Sequence, residues 1–295
     1  MKVYYPSYYK EFKCIAEKCR HSCCVGWEIF VDDETLEKYK SLPDGNEILC
    51  HINDGEINLS ESRRCPFLRQ DGLCRIIAEH GEGFVSVICR EHPRFYHRAC
   101  GRVEGGLGAS CEEVARIILS SDGYAEFYAS EWQGDIADET DFDCLSHREN
   151  IYSLLKNNSL GYPEKLDKIR ATYNLSNNIH SADEWNRVLS ELEYLDENHR
   201  EMLCIGKTCR SEKGHGILER FLAYLLFRHL SVAESEHNLR ARLGFCLLLT
   251  EILENYMANE EDFSAVTDFA RIISEEIEYS EDNTQSLIFE FEISY

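Results

Sequence analysis

The densest feature of the sequence is a run of eleven residues that holds four cysteines: Cys14, Cys19, Cys23 and Cys24. Ten of the 14 cysteines in the 295-residue chain lie within its first 120 residues. Thiolates at this density bind zinc, iron or an iron–sulfur cluster, and in an oxidising compartment they form disulfides instead. This part of the chain therefore folds around its cysteines, and the compartment decides which chemistry applies.

The start of the chain indicates the compartment. Residues 1–10, MKVYYPSYYK, lack the apolar core and the small-residue cleavage site of a signal peptide. No later run of about 18 apolar residues could span a bilayer. We therefore expect a cytoplasmic protein without a membrane segment, whose thiols stay reduced unless a metal holds them. A metal or cluster site is thus favoured over disulfides, and over free cysteines that merely pack as small apolar residues.

The charge of the chain is strongly acidic and unevenly distributed, with a formal net charge of −23. Residues 1–120 carry 16 lysines and arginines against 19 acidic residues, whereas residues 121–295 carry 15 against 35. We expect no nucleic-acid partner, because phosphates attract cations. The acidic half suits a basic protein that exposes lysines, and the alternative is a well-solvated helical surface.

The first 122 residues consist of short segments broken by turns. Between Cys65 and Cys74, the dipeptide Asp71-Gly72 indicates a tight turn. Such a turn folds one cysteine back toward the other, as a metal-binding knuckle requires. We therefore predict an irregular, cysteine-rich domain over residues 1–122, nucleated by metal.

From residue 123 onward the pattern is helical. Apolar stripes at helical spacing span residues 217–232, 239–256 and 263–277. Ser181 and Glu184 have the spacing of a capping box at the start of another helix. We predict an acidic α-helical bundle over residues 123–295, so that the fold class of the whole chain is mainly α.

Two features surround Cys111. Ser110 and Glu113 have the spacing of a capping box, which would begin a helix and place Cys111 at its N-terminus, where the helix dipole stabilises a thiolate. The glycine run at residues 105–108 loosely suggests a nucleotide loop, although the strand–loop–helix context of such a loop is poor.

Four arginines spaced by four residues follow Cys89: Arg90, Arg94, Arg98 and Arg102. On an unbroken helix they would form one cationic stripe, but Pro93 interrupts that helix. Such a stripe could hold the carboxylate of a small ligand. The alternative is a surface ladder that pairs with Glu91 and Glu104.

Several motifs of this chain resemble those of the flagellin lysine-N-methylase family. The motifs are Cys14-x4-Cys19-x3-Cys23-Cys24-x-Gly26-Trp27, Cys65-Pro66-Phe67-Leu68, Asp71-Gly72-Leu73-Cys74, Cys89 with Pro93-Arg94, Ser110-Cys111 with Ala115-Arg116 and Ile118-Leu119, and more weakly Phe227-Arg228-His229 and Ile277-Glu278-Tyr279-Ser280-Glu281-Asp282-Asn283. The sequence also resembles a wider set of domains described as zinc- or iron-chelating, which share a clustered Cys-Cys motif.

The resemblance implies a protein-lysine N-methyltransferase that takes its methyl group from S-adenosylmethionine. The implied partner is a protein substrate with exposed lysines, either flagellin or another basic protein. The implied metal group is an iron–sulfur cluster (4Fe–4S), with zinc as the alternative. The metal-site candidates that the resemblance gives are Cys14, Cys19, Cys23, Cys24, Cys65, Cys74, Cys89 and Cys111. One site needs four ligands, so either two sites exist or several of these cysteines are structural.

The chain departs from the family pattern at two positions beside the cysteines. Glu112 stands where a proline usually follows the last cysteine, and His92 stands where an aromatic residue usually precedes Pro93-Arg94. Both changes leave the cysteines intact.

The cofactor site is expected beside the cysteines or at their seam with the helical half, because the helical half offers no recognisable nucleotide loop. Arg90, Arg94 and Arg98 are the candidates to clamp the carboxylate of S-adenosylmethionine. A tyrosine run at residues 4–9, together with Trp27, could form an aromatic wall for a cationic sulfonium or ammonium, or simply a packing edge.

The sequence identifies no catalytic base. Two other functions stay open at this point. One is a non-catalytic interaction module with a structural metal, and the other is an iron–sulfur redox or sensor protein.

Overall fold

Helices predominate in the computed structural model of the chain, which describes residues 2–132, 142–176, 179–207 and 212–295. The strands are β1 (Lys2–Pro6), β2 (Ile52–Asn53), β3 (Glu56–Ile57), β4 (Arg94–Ala99), β5 (Arg102–Leu107) and β6 (Phe127–Glu131). The α-helices are α1 (Asp33–Lys40), α2 (Gly45–Leu49), α3 (Arg75–His80), α4 (Val87–Glu91), α5 (Glu112–Ser120), α6 (Cys144–Leu155), α7 (Tyr162–Thr172), α8 (Ala182–Ser190), α9 (Glu212–Leu225), α10 (Glu236–Met257), α11 (Phe263–Ile273) and α12 (Glu281–Glu292).

Shorter helical segments complete the secondary structure. Turns of 3₁₀-helix span Ser7–Glu11, Ala16–Lys18, Glu82–Phe84 and Glu197–His199, and π-helical turns extend α9 over Leu226–Leu230 and α11 over Ser274–Glu278. The chain is therefore mainly α, as predicted. Within the described ranges, no helix is both long enough and apolar enough to cross a membrane.

The described chain divides into two compact units, each discontinuous in sequence. The cysteine unit comprises residues 13–95 and 111–113, and the helical unit comprises residues 1–12, 96–110 and 114–295. These compact units do not coincide with the linear boundary after residue 122. That boundary stays a prediction about independently folding domains, as do the metal-nucleated domain and the bundle.

A four-stranded sheet in the order β4-β5-β1-β6 belongs largely to the helical unit. Strand β1 pairs in parallel with β5, with Val3 opposite Val103, and antiparallel with β6, with Lys2 opposite Glu131. Both valines are fully buried. We predicted a mostly α-helical bundle after residue 123, and the pattern of that segment gave no sign of the strand β6. Its pairing partner β1 lies more than 120 residues earlier in the chain, so periodicity within the segment could not reveal it.

The helical unit is built around α10. This helix is buried along most of its length, and α9, α11 and α12 pack against it. A Cβ at Gly244 would overlap the ring of Phe291, so the glycine allows α12 to approach α10 closely. The capping box of α8 is confirmed, because the Ser181 hydroxyl accepts from the amide of Glu184 while the Glu184 carboxylate accepts from the amide of Ser181.

The cysteine unit has a small apolar core and few long elements. Its core consists of Ile29, Val31, Tyr39, Ile48, Ile57, Cys65, Phe67, Leu68, Ile76 and Val85. Loop segments are tied together by single backbone hydrogen bonds, such as Val31 N to Gly55 O at 2.7 Å.

Candidate metal centre in the cysteine unit

Every cysteine predicted to bind metal belongs to the cysteine unit. Cys14, Cys19, Cys23, Cys24, Cys65, Cys74 and Cys89 come from residues 13–95, and Cys111 comes from residues 111–113. All eight are free thiols. They can therefore act as metal ligands once they lose their protons.

The tight turn predicted between Cys65 and Cys74 is confirmed, whereas metal binding by these two cysteines stays a prediction. Leu68 and Cys74 form an antiparallel bridge, and Gly72 adopts the positive φ of +82° that the tight turn demands. The amide of Cys65 donates to the carbonyl of Cys24 at 2.8 Å. Cys24, Cys65 and Cys74 consequently pack against the same apolar core.

Cys89 lies on α4, which is held by two capping interactions. The Ser86 side chain accepts from the amide of Cys89, and Asp32 accepts from the amide of Val87 at 2.9 Å. Tyr39 is almost fully buried in the same region. Burial raises the pKa of its hydroxyl, and the nearby thiols of Cys89 and Cys74 raise it further. The ring of Tyr39 thus lies among the thiols of this region.

The carboxylate of Glu112 holds the loop that carries Cys19. Glu112 Oε2 accepts from the amides of Arg20 at 2.8 Å and His21 at 3.3 Å, and Oε1 pairs with Arg20 Nε at 2.9 Å. The sulfur of Cys19 lies 3.8 Å from Glu112 Oε2. Glu112 directly follows Cys111, so its bonds bring the loop at residues 19–21 to Cys111.

The adjacent thiols of Cys23 and Cys24 shift each other's ionisation. The interaction with Cys23 lowers the pKa of Cys24 to about 7 against the effect of its burial, and the Ser22 hydroxyl and the Arg64 guanidinium assist. The interaction with Cys24 is also the main cause that raises the pKa of Cys23. A thiol that ionises near neutral pH is ready to bind a metal.

The sulfurs are spaced more widely than a single zinc ion requires. With zinc–sulfur bonds of about 2.3 Å, the sulfurs of a tetrahedral site lie about 3.8 Å apart. In the part of the chain that the structure describes, no three cysteine sulfurs all lie within 4.8 Å of one another. An iron–sulfur cluster places several irons and sulfides between its thiolates and separates them more widely.

Two groups without cysteine bring three potential ligands together, and sequence reasoning missed both. They are Asp44 with Glu79 and His80, and His199 with Glu275 and Glu276. Arg75 already pairs with Asp44 and Glu79. In the second group, Arg271 likewise pairs with Glu275. An arginine side chain therefore already neutralises carboxylates in each group. The spacing of these residues in sequence carries no ligand pattern that could have revealed them.

The prediction that the arginines form a cationic stripe on one helix is wrong. Helix α4 ends at Glu91, and Pro93 cannot continue it, so Arg90 lies on α4 whereas Arg94 and Arg98 lie on β4. Arg94 donates to the carbonyl of Arg90 at 3.4 Å. The ladder alternative holds in part, because Arg90 lies 3.5 Å from Glu91. Cofactor binding by Arg90, Arg94 and Arg98 stays a prediction.

The features predicted around Cys111 are corrected in two respects. The Ser110 hydroxyl is buried without a hydrogen-bond partner among the described residues, so it does not cap α5, which begins at Glu112. The glycine run is not a nucleotide loop, because Gly105 and Gly106 lie within β5. A Cβ at Gly105 would overlap the rings of Tyr5 and Tyr96, so this glycine serves aromatic packing.

An aromatic surface forms in the helical unit from tyrosines of three segments. The ring centroids of Tyr5 and Tyr9 are 4.3 Å apart, and those of Tyr5 and Tyr128 are 5.4 Å apart. The hydroxyls of Tyr9 and Tyr96 lie 3.3 Å apart. The ammonium of Lys10 lies 3.8 Å from the centre of the Tyr128 ring. This aromatic surface therefore already binds a lysine side chain.

The predicted aromatic wall is only partly present. Tyr5 and Tyr9 belong to the aromatic surface, whereas Tyr8 is almost fully buried and Tyr4 packs against the guanidinium of Arg102. Trp27 belongs to the cysteine unit, where its ring lies 6.4 Å from that of His92. Burial, then the charge of Arg94, lowers the pKa of His92 to about 4. That imidazole is therefore neutral at pH 7.

The two weakly resembling motifs in the second half of the chain meet in a buried ionic network. His229 Nε2 lies 2.7 Å from Oε1 of Glu278, and the hydroxyl of Tyr224 donates to Glu278 Oε2 at 2.9 Å. Burial opposes the charge of Glu278, but the Arg228 guanidinium and the His229 bond outweigh it and lower its pKa to about 2. Both π-helical turns, which are typical of specialised sites, supply residues of this network.

A mainly α fold with nine free thiols in one compact unit, eight of them candidate metal ligands, defines a cysteine-rich protein. The chain is 33% identical over 127 residues to the flagellar biosynthetic protein FliU of Salmonella muenchen, in an alignment that covers 39% of this chain and 75% of FliU. It is also 33% identical over 127 residues to the lysine-N-methylases of Salmonella typhimurium and Salmonella choleraesuis. The chain belongs to the flagellin lysine-N-methylase family.

The matched region spans about a third of the length of the two lysine-N-methylases, 32% in each case. It covers 39% of the present chain. No family model matches the chain, and no solved structure matches it significantly.

Proposed function

We propose that this chain is a protein-lysine N-methyltransferase that uses S-adenosylmethionine and carries an iron–sulfur cluster in its cysteine unit. The observation that carries the proposal is the likeness to proteins named lysine-N-methylase, at 33% identity. The name of the relative FliU links the family to flagella, so flagellin is the substrate that we propose first. Another basic protein with exposed lysines is the alternative.

The proposed reaction requires a neutral lysine nitrogen that is aligned with the methyl group. The lone pair of the lysine nitrogen attacks the methyl carbon of the sulfonium, a C–N bond forms as the C–S bond breaks, and S-adenosylhomocysteine leaves. A free lysine has a pKa of about 10.4 and is protonated at pH 7. The protein must therefore remove a proton from the lysine and align the nitrogen with the methyl group.

The aromatic surface of Tyr5, Tyr9, Tyr96 and Tyr128 is the proposed binding site for the substrate lysine. Its support is the ammonium of Lys10, which lies 3.8 Å from the centre of the Tyr128 ring. Aromatic faces attract ammonium groups and also shield them from water. The substrate lysine would displace Lys10, which is exposed.

The number of thiols in the cysteine unit and their free state support an iron–sulfur cluster there. When bound, the cluster would supply folding energy to the small apolar core and a charged metal centre in the cysteine unit. Arg90 and Arg94 belong to the same unit as Cys89, and they are proposed to hold the cofactor carboxylate.

The direct test is a transfer assay with the complete chain, purified without oxygen. The chain is incubated with S-adenosylmethionine that carries a labelled methyl group and with unmethylated flagellin, and label in lysine is measured after digestion. Cys50→Ser serves as the control variant, because Cys50 is exposed, is not a candidate ligand, and donates its thiol to the carbonyl of Glu47. Wild type and control should both transfer label.

The two other functions predict different results in the same preparation. A metal-binding interaction module would retain flagellin without retaining labelled S-adenosylmethionine. An iron–sulfur sensor would retain neither, and its absorbance near 400 nm would change reversibly with reductant. Metal-replete protein that fails to bind S-adenosylmethionine would contradict the proposed methyltransferase.

A further inference from the structure

We infer that Cys100 and Cys144 form a reversible disulfide, which makes this pair a site of oxidative modification. Their sulfurs lie 3.5 Å apart, although 44 residues separate the two cysteines in sequence. Both cysteines belong to the helical unit, and neither is a candidate metal ligand. The inference goes beyond the proposed methyl transfer and does not depend on it.

The two sulfurs are already close to the separation of a bonded pair. A disulfide bond is about 2.05 Å long, so the sulfurs must approach each other by about 1.5 Å. Small rotations of the two side chains produce displacements of this size. Cys100 Sγ also lies 3.2 Å from the carbonyl oxygen of Phe142, and Cys144 Sγ lies 3.1 Å from that of Ser231. Thiols are weak donors, so the loss of these two hydrogen bonds opposes the disulfide only slightly.

A buried ion pair already holds together the two elements that carry the cysteines. Cys100 lies in the two-residue connection between β4 and β5, and Cys144 is the first residue of α6. One turn farther along α6, Arg148 donates to both carboxylate oxygens of Glu104 in β5, at 2.7 Å each. Both of these side chains are almost completely buried. The disulfide therefore joins elements that are already in place, and thiols held so close have a high effective concentration for each other.

The two cysteines differ in exposure, which sets the order of the reaction. Cys100 is half-buried, whereas Cys144 is fully buried. A low-molecular-weight disulfide such as oxidised glutathione therefore reaches Cys100 first. The thiolate of Cys100 attacks one sulfur of this oxidant, a mixed disulfide forms, and one glutathione thiolate leaves.

Cys144 completes the reaction from the interior. Its thiol loses its proton to water, and its sulfur attacks the sulfur of Cys100, so the second glutathione leaves as a thiolate. In total the two cysteines lose two electrons and two protons, and oxidised glutathione takes them up as two glutathione thiols. Burial raises the pKa of Cys144 to about 12, so this second step is the slower one.

The disulfide fastens the turn between β4 and β5 covalently to the first turn of α6. It also closes a loop over residues 100–144, which lowers the conformational entropy of the unfolded chain. We therefore expect the oxidised protein to melt roughly 5 °C or more above the reduced protein. The added stability disappears when a thiol reductant opens the bond again.

The experiment equilibrates the full chain, purified without oxygen, with oxidised and reduced glutathione at a series of ratios. Free thiols are then blocked by alkylation, and peptides are analysed by mass spectrometry without reduction. We expect a peptide pair that joins Cys100 to Cys144 and that disappears after treatment with dithiothreitol. The melting temperature of each sample is measured alongside.

Three serine variants show whether the effects come from this pair. Cys100→Ser and Cys144→Ser should each abolish both the joined peptides and the rise in melting temperature. Cys204→Ser, which replaces a half-buried cysteine of the same unit, should keep both. If Cys144→Ser does not fold, Cys100→Ser decides by itself.

Two outcomes would overturn the inference. One is a stable mixed disulfide of Cys100 with glutathione beside a free thiol at Cys144. The other is a pair of unmodified thiols at the most oxidising ratio. Both results are independent of methyl transfer, which the labelled-methyl assay measures separately.

Discussion

The carboxylate of Glu112 lies 3.8 Å from the sulfur of Cys19, although 92 residues separate them from each other in sequence. Glu112 accepts hydrogen bonds from the successive amides of Arg20 and His21, in the loop that follows Cys19, and from the guanidinium of Arg20. In the sequence, Glu112 stood out only because it replaces the proline that is usual in the family. A proline side chain has no acceptor for these hydrogen bonds. A proline at position 112 therefore could not hold the loop as Glu112 does.

Replacing Glu112 should loosen the loop that carries Cys19. Glu112→Ala removes hydrogen bonds from two amides, and each bond to a charged group contributes about 1.5–3 kcal/mol. We expect metal bound by Cys19 or Cys111 to be lost to a chelator several-fold faster than in wild type. Stopped-flow chelation of the reconstituted chain measures the rate.

The matched control for Glu112 is the exposed carboxylate of Glu61 in the same unit. Glu61→Ala should leave the chelation rates unchanged. Equal rates in Glu112→Ala and wild type would show that Glu112 does not hold Cys19 in a position to bind metal.

Arg94 should contribute to cofactor binding without affecting the metal. Loss of a charged hydrogen bond to a carboxylate weakens binding by about tenfold or more, equivalent to about 1.4 kcal/mol. Arg94→Ala should therefore reduce the affinity for S-adenosylmethionine by that factor while the iron content stays full. Calorimetric titration and metal analysis on one preparation measure both quantities.

Arg69→Ala is the control for this arginine, because Arg69 is exposed and pairs with the neighbouring Asp71. It should bind the cofactor as wild type does. Normal affinity in Arg94→Ala, with full metal, would remove Arg94 from the proposed cofactor site.

The ring of Tyr128 should matter more than its hydroxyl. A cation–π contact contributes about 0.5–2 kcal/mol, so Tyr128→Leu should raise the KM for the protein substrate about 2-fold to 30-fold. Tyr128→Phe keeps the ring and should retain the wild-type KM. Steady-state methyl transfer at several substrate concentrations separates KM from kcat, and equal KM values in the two variants would reject the aromatic surface as the lysine site.

The Glu278 network should make stability fall in acid. The pKa of Glu278 is lowered from 4.5 to about 2, so its ionised form stabilises the folded state above pH 4.5. That contribution, on the order of 3 kcal/mol, is lost as the pH falls from about 4.5 toward 2. Urea unfolding at a series of pH values measures the loss.

Glu278→Gln should be less stable than wild type at pH 7, because Arg228 then keeps a buried charge without its partner. The difference between the two proteins should shrink as the pH approaches 3. The exposed Glu281→Gln is the control. A difference that stays constant from pH 7 to pH 3 would contradict the assigned ionisation of Glu278.

The sequence predicted those structural features that depend on residues close to one another in the chain. Three features were predicted in this way. They are the capping box of Ser181, the apolar stripes of α9 to α11, and the tight turn between Cys65 and Cys74. The four-residue spacing of the arginines failed for a local reason as well, since Pro93 ends the helix and a strand follows.

The sequence did not reveal contacts between residues that are distant in the chain. The aromatic surface needs Tyr128 from β6 and Tyr96 from β4, and only the strand order brings these residues to Tyr5. The contact of Glu112 with the loop that follows Cys19 likewise depends on residues 111–113 joining a unit that otherwise ends at residue 95. Such contacts are set by tertiary packing, for which a single sequence carries no periodic signal.

The most direct test of the account is the methylation state of flagellin made together with this chain. Flagellin is expressed in a bacterium that lacks its own flagellin methylase, with either the wild-type chain or Cys65→Ser, and its lysines are examined by peptide mass spectrometry. We predict N-methyl-lysine in flagellin from cells with the wild-type chain and little or none with Cys65→Ser. Unmethylated flagellin beside abundant, iron-replete wild-type chain would contradict flagellin methylation, and the absence of N-methyl-lysine from all other proteins of those cells would contradict lysine methyl transfer altogether.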